Sequence, residues 1–309
     1  MGYTKFFDKY ISSNNNDFIK YFIFYPEEPP KAVLQISHGM CEYIERYEPF
    51  ADFLTSKGII VCGNNHLGHK GSAERDEELG YFAPKDGWTY LAKDLHKLTE
   101  LMKDKHPRLP YFLLGHSMGS FVARDYISKF GDELDGVLIS GTSGNNPLSG
   151  FGILLANILI KTKGGKYRSN LLNKASFAGY NKYTEKRTKS DWLTRDQSII
   201  DKYIDDKYCN FIFTAKGFND LFHLLNYVSS DEWPLLIPKE LPVYIFSGDK
   251  DPVGSYGKGV KEVYDKLASA GLKDVSLKLY EGGRHEMLNE TNRQEVYEDI
   301  LKWLSERIE

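Results

Sequence analysis

The chain has 309 residues and a formal charge of −3, with 41% hydrophobic and 14% aromatic residues, among them 21 Tyr and 18 Phe. That composition supplies a large buried core and excludes a disordered chain. No long basic run is present, which argues against nucleic acid as a partner.

The N-terminal stretch "MGYTKFFDKYISSNNNDF" lacks the charged, then apolar, then small-residue order of a secretory signal. Short apolar runs at residues 18–25, 32–36, 59–62, 111–114, 136–140, 243–246 and 275–279 read as strands. Helical spacing covers residues 47–56, 87–105, 117–129, 258–270 and 293–308. The alternation predicts an α/β fold, a mostly parallel central sheet with helices on both faces. It stops between residues 145 and 240, where helical periodicity recurs at 151–160, 195–203 and 218–227 and "EWPLLIPKELP" then returns the chain to the sheet. The expected division is therefore a core over residues 1–144, a helical cap insertion over 145–240, and the rest of the core over 241–309.

Four positions along this order carry chemistry. The strand at 32–36 runs into Ser37-His38-Gly39-Met40, a loop whose glycine permits close backbone approach, so the Met40 amide is a candidate oxyanion donor. The strand at 111–114 runs into Gly115-His116-Ser117-Met118-Gly119, a G-x-S-x-G bend that exposes a serine and offers the Met118 amide as the second donor. His116 is expected to point away across that bend. A serine needs a base and an orienting acid, which follow it in that fold in the order serine, acid, histidine. "FSGDKDPV" offers Asp249 and Asp251, and the residues alone leave both open. His285 follows the last strand through a turn, whereas His223 lies on a helical stripe and reads as a packing residue. His66 and His69 have no third ligand in view, and His285-Glu286-Met287-Leu288-Asn289 lacks the second histidine of a zinc helix.

The set "SHGMCEYIERY", "NHLGHKGSAE", "LLGHSMGSF", "FSGDKDPV" and "YEGGRHEMLNE" resembles the monoglyceride lipase and lysophospholipase branch of the serine α/β-hydrolases, over nearly the whole chain from Asp17 onward. The resemblance implies the α/β-hydrolase fold with a helical cap. It also implies a catalytic triad of Ser117, Asp251 and His285, with oxyanion amides at Met40 and Met118, and so selects between the two aspartates. "KSDWLTRD" at 189–196 is similar to the family's cap sequences. Asn65 and Lys70 depart from its D-x-x-G-H-G-x-S loop.

The expected function is hydrolysis of a monoacylglycerol or lysophospholipid-like acyl ester through an acyl-enzyme, with no cofactor or metal. An aminopeptidase or amidase, and a non-catalytic binding protein, are the alternatives. Phe151, Leu154, Leu155 and Ile158 are the candidate substrate-binding residues of the cap. With Lys161, Lys163, Lys166 and Arg168 behind them they fit either a transient contact with a membrane surface or packing on the sheet beneath a solvated face. Cys41, Cys62 and Cys209 lack metal spacing and read as reduced thiols of a cytoplasmic protein. Thiol modification of Cys41 is expected to crowd the oxyanion loop.

Overall fold

The computed structural model describes residues 2–147 and 149–308. Its strands are β1 (Tyr3–Ile11), β2 (Phe18–Pro26), β3 (Ala32–Ser37), β4 (Ile59–Asn64), β5 (Tyr111–His116), β6 (Gly136–Ser140), β7 (Val243–Gly248) and β8 (Val275–Tyr280). They form one sheet in the order β1-β2-β4-β3-β5-β6-β7-β8, antiparallel from β1 through β4 and parallel thereafter.

Burial on both faces explains why the inner strands read as unbroken apolar runs rather than as alternating ones. Successive residues feed two separate cores. Leu113, Val137, Ile139 and Ile245 pack into one, while Leu114, Leu138 and Phe246 pack into the other. The first core is covered by α2 (Trp88–Lys105), α3 (Met118–Phe130) and α8 (Lys258–Ser269). The second lies under α1 (Glu48–Thr55) and α9 (Arg293–Ser305).

Between β6 and β7 come α4 (Ser149–Lys163), α5 (Asn170–Ser176), α6 (Gln197–Asp205) and α7 (Ala215–Ser229). Local chemistry starts three of these helices. Ser169, Asp196 and Thr214 accept N–H bonds from Leu172, Ser198 and Gly217 at the N-termini of α5, α6 and α7. No helix among the described residues is long and apolar enough to cross a membrane.

Sheet order places the site. β3 leaves toward β4 on one side and the chain returns to β5 on the other, which opens a crevice at the carboxyl ends of β3 and β5. Ser37 and Gly115 are register partners there.

Candidate active site

Ser117 occupies the bend between β5 and α3 with φ 53° and ψ −122°, a region that non-glycine residues rarely take. The surroundings hold it there. A Cβ on Gly115 would strike the Gly119 carbonyl, and one on Gly119 would strike the Ser37 carbonyl, so both glycines of the motif are sterically required. The Ser117 N–H donates to the Ser140 carbonyl at 3.0 Å. The Ser120 hydroxyl donates to the Ser117 carbonyl at 2.6 Å.

The structure brings Asp251 and His285 together. His285 Nδ1 lies 3.0 Å from Asp251 Oδ2, and both side chains are buried. Asp251 also accepts the Ser247 hydroxyl at 2.9 Å and the Val253 N–H at 2.9 Å. Burial alone would raise its pKa, but the His285 ring and these donors hold it below the ordinary carboxylate value. Burial likewise pushes His285 down, and the Asp251 carboxylate more than compensates, so its pKa lies above 6.5. A proton on Nδ1 facing the carboxylate leaves Nε2 as an acceptor. His285 and Ser117 line the same cavity, of about 760 Å³. Asp249 has another task, since its Oδ1 accepts the Gly282 N–H at 2.7 Å in the neighbouring turn.

Two histidines sit differently from expectation. His116 does not turn away, because its ring packs 4.7 Å from that of His285, centroid to centroid. Burial and the His285 charge lower its pKa to about 3, so it stays a neutral wall. His223 is exposed on α7 rather than packed. Trp192 closes the other side, its ring centred 5.0 Å from His285. Sequence reasoning marked its segment only through the family resemblance.

Met40 and Met118 line the same cavity. Met118 opens α3, so its N–H has no partner within the helix. The Met40 N–H makes no loop or turn hydrogen bond among the described residues. The loop is anchored on both sides of Met40. His38 donates from Nδ1 to the Gly39 carbonyl at 2.8 Å and accepts the His66 N–H at 2.9 Å. The Cys41 N–H donates to His69 Nε2 at 3.3 Å. Burial lowers the pKa of His66 to about 3 and of His69 to about 4, which keeps both as neutral hydrogen-bonding rings. No group of His, Cys, Asp and Glu among the described residues could hold a metal ion. Asn65 joins this support, donating to the Lys70 carbonyl at 2.7 Å and accepting the Ile44 N–H at 2.8 Å.

Sequence reasoning missed an ionic link between the two loops. Glu42 accepts the Gly39 N–H and, at 2.8 Å, one nitrogen of Arg46. Arg46 also grips Glu286, the residue after His285, with bonds of 3.0 and 2.8 Å. One guanidinium thus serves two buried carboxylates. Burial raises the pKa of Glu42, whereas Arg46 outweighs burial at Glu286 and lowers its pKa.

The cap residues expected to contact substrate do not line the cavity. Phe151, Leu154 and Ile158 are 66%, 57% and 51% exposed, and Leu155 packs toward the core beneath α4. α4 is apolar almost all round, so periodicity could not tell its inner face from its outer one. The inner face is set by Gly152, whose missing Cβ admits the Phe222 ring, and by buried Ala156. The apolar cavity wall comes instead from Phe121, Phe211, Phe218, Leu221, Phe222 and Leu225. Cys41 is also in the wall, but its thiol donates to the Phe211 carbonyl at 3.2 Å and burial pushes its pKa well up, which makes it a slow nucleophile.

The family described as "Serine aminopeptidase, S33" matches residues 28–292. The monoglyceride lipase of Homo sapiens is 30% identical over 290 residues, covering 91% of this chain and 85% of that protein. The monoacylglycerol lipase of Mycolicibacterium smegmatis is 25% identical over 291 residues, covering 93% and 92%. Among solved structures, a thermostable carboxyl esterase from Bacillus coagulans in complex with glycerol superposes with a TM-score of 0.92 at 29% identity, covering 100% of both chains.

Proposed function

The chain belongs to the serine aminopeptidase, S33, family and is a serine ester hydrolase of the monoglyceride lipase branch of the α/β-hydrolases; from this premise we propose that Ser117, His285 and Asp251 cleave monoacyl esters. The observation that carries the reading is the buried Asp251–His285 pair, 3.0 Å apart, in one cavity with a serine held in a strained bend. His285 Nε2 takes the Ser117 proton as Oγ attacks the ester carbonyl, and Asp251 holds the imidazole in the required tautomer. The Met40 and Met118 N–H groups receive the oxyanion, each lowering the barrier by about 3 kcal/mol. His285 then returns the proton to the departing alcohol, and water repeats the sequence on the acyl-enzyme.

The apolar wall suits an acyl chain, and about 760 Å³ is in the usual range for small-molecule sites. An aminopeptidase would need a free carboxylate for the substrate ammonium. The acids in this wall, Glu42 and Glu286, are both held by Arg46. We assign the protein to the cytoplasm on its free cysteines. Phe151, Leu154 and Ile158, an exposed apolar stripe on α4, form the face that touches lipid.

A fluorophosphonate probe should label the protein and leave Ser117→Ala unlabelled. A monoacylglycerol should be hydrolysed and an aminoacyl arylamide left intact. Labelling that survives in Ser117→Ala, or faster turnover of the arylamide, would defeat the reading.

A further inference from the structure

One side of the cavity mouth carries a charge that ester hydrolysis does not require. Residues 161–190 hold nine Lys and Arg against one Glu, in a chain of net charge −3. Four of these cations, Lys174, Lys182, Lys186 and Lys189, line the cavity that contains Ser117 and His285. No ion pair among the described residues involves any of the four, whereas lysines elsewhere pair with neighbouring acids, as Lys5 does with Glu48 and Lys261 with Asp265. The acids beside the mouth are already committed. Glu185 binds Arg284 at 2.7 Å, Asp201 binds Arg187 at 2.7 Å, and Asp191 accepts the Arg187 N–H at 2.6 Å and the Thr188 N–H at 3.1 Å.

Three of these lysines stand on one closed loop, and Lys174 stands on α5. Asn181 donates to the Thr188 carbonyl at 3.0 Å and accepts the Trp192 N–H at 2.9 Å, closing the loop that bears Lys182, Lys186 and Lys189. The same loop is joined to the segment of the base. His285 N–H donates to the Trp192 carbonyl at 3.4 Å, Glu286 N–H to the Leu193 carbonyl at 2.7 Å, and Arg284 to the Asp191 carbonyl at 2.8 Å. The lysine rim is thereby held in register with His285. Asn173, Asn181 and Ser190 add neutral hydrogen-bonding groups to the same mouth.

We propose that this rim is a subsite for a phosphate-bearing headgroup, so that the favoured substrate is a monoacyl ester whose alcohol portion carries a phosphate. The proposal rests on Ser117 being the nucleophile. A single exposed ammonium gains little from a phosphate, but four cations around one cleft with apolar walls focus their field on it. The phosphate takes no part in bond exchange. Ser117 Oγ bonds to the acyl carbon, the ester C–O bond breaks, the glycerol phosphate leaves with the proton from His285, and water releases the carboxylate.

The test compares a short-chain 1-acylglycerol with the corresponding 1-acylglycerol 3-phosphate, both monomeric, on wild type and on the exposed double variant Lys182→Gln/Lys186→Gln. Wild type should show a KM for the phosphate ester about tenfold lower than for the neutral ester, and the ratio should collapse toward unity in the variant and in about 0.5 M NaCl. Glycerol 3-phosphate should inhibit wild type competitively and the variant less, while inorganic phosphate reports how much a bare anion contributes. Equal KM values for the two esters in wild type would overturn the proposal. So would a variant that loses binding to anionic vesicles but keeps the KM ratio, which would assign the lysines to the bilayer surface. If the Ser117 reading itself fails, fluorophosphonate labelling is absent. If only the headgroup proposal fails, labelling and neutral-ester turnover remain.

Discussion

Asp249 and Asp251 stand in one turn yet experience different surroundings. Asp249 holds the Gly282 N–H at 2.7 Å and contacts Lys250 at 2.9 Å, a task that an asparagine oxygen can largely keep. Asp251 is fully buried against His285. Asp251→Asn should therefore lower kcat by about 10⁴, the scale on which a triad aspartate acts, while Asp249→Asn should lose less than about tenfold. Equal losses with a chromogenic ester would mean that the wrong aspartate has been assigned. The same pair sets the pH profile. As the proposed base, His285 has to be neutral, and Asp251 holds its pKa above 6.5, so kcat/KM should fall as pH drops through a midpoint above that value. In the residual activity of Asp251→Asn the carboxylate is gone and burial dominates, so the midpoint should move below 6.5. An unmoved midpoint would show that the profile reports another group.

Elements were legible where burial dictated their pattern and illegible where it did not. The inner strands and the helices flanking them could be read because unbroken apolar runs and one-sided stripes have few alternatives. β1 was not expected. It is an exposed edge strand, with Phe7 61% exposed among charged neighbours, so its sequence carries no burial signal. α5 spans only Asn170–Ser176, too short to display a period. The Asp251–His285 pairing needed the family resemblance as well, because a three-dimensional meeting across 34 residues leaves no local trace. α4 shows the same limit from the other side, since an all-apolar helix does not announce which face is covered. Its outer stripe of Phe151, Leu154 and Ile158 now has a definite expectation. Leu154→Ser/Ile158→Ser should weaken association with vesicles by about thirtyfold, at about 1 kcal/mol for each of the two partly inserted side chains, and leave hydrolysis of a monomeric ester in place. Unchanged vesicle binding would remove α4 from the membrane face.

Across the whole molecule, the segment between β6 and β7 is fastened to the sheet by buried groups rather than laid over it. Arg124 of α3 is fully buried and makes no ion pair among the described residues. It donates to the Val228 carbonyl at the end of α7 and, at 2.8 Å, to the Ser143 carbonyl beyond β6. Its guanidinium stacks 4.4 Å from the Trp233 ring, whose Nε1 donates to the Arg124 carbonyl at 2.7 Å. Arg195 and Glu290 form a further tie at 2.9 Å. With such ties the cap and the core should unfold in one transition. Arg124→Met preserves the side-chain volume but leaves the Val228 and Ser143 carbonyls buried without that donor, at roughly 1–3 kcal/mol each. The melting temperature should drop by about 5–10 °C, with helix signal and fluorophosphonate labelling lost together as the protein is heated. Labelling that disappears well before the helix signal would instead mean that the cap opens on its own, as a unit separable from the sheet.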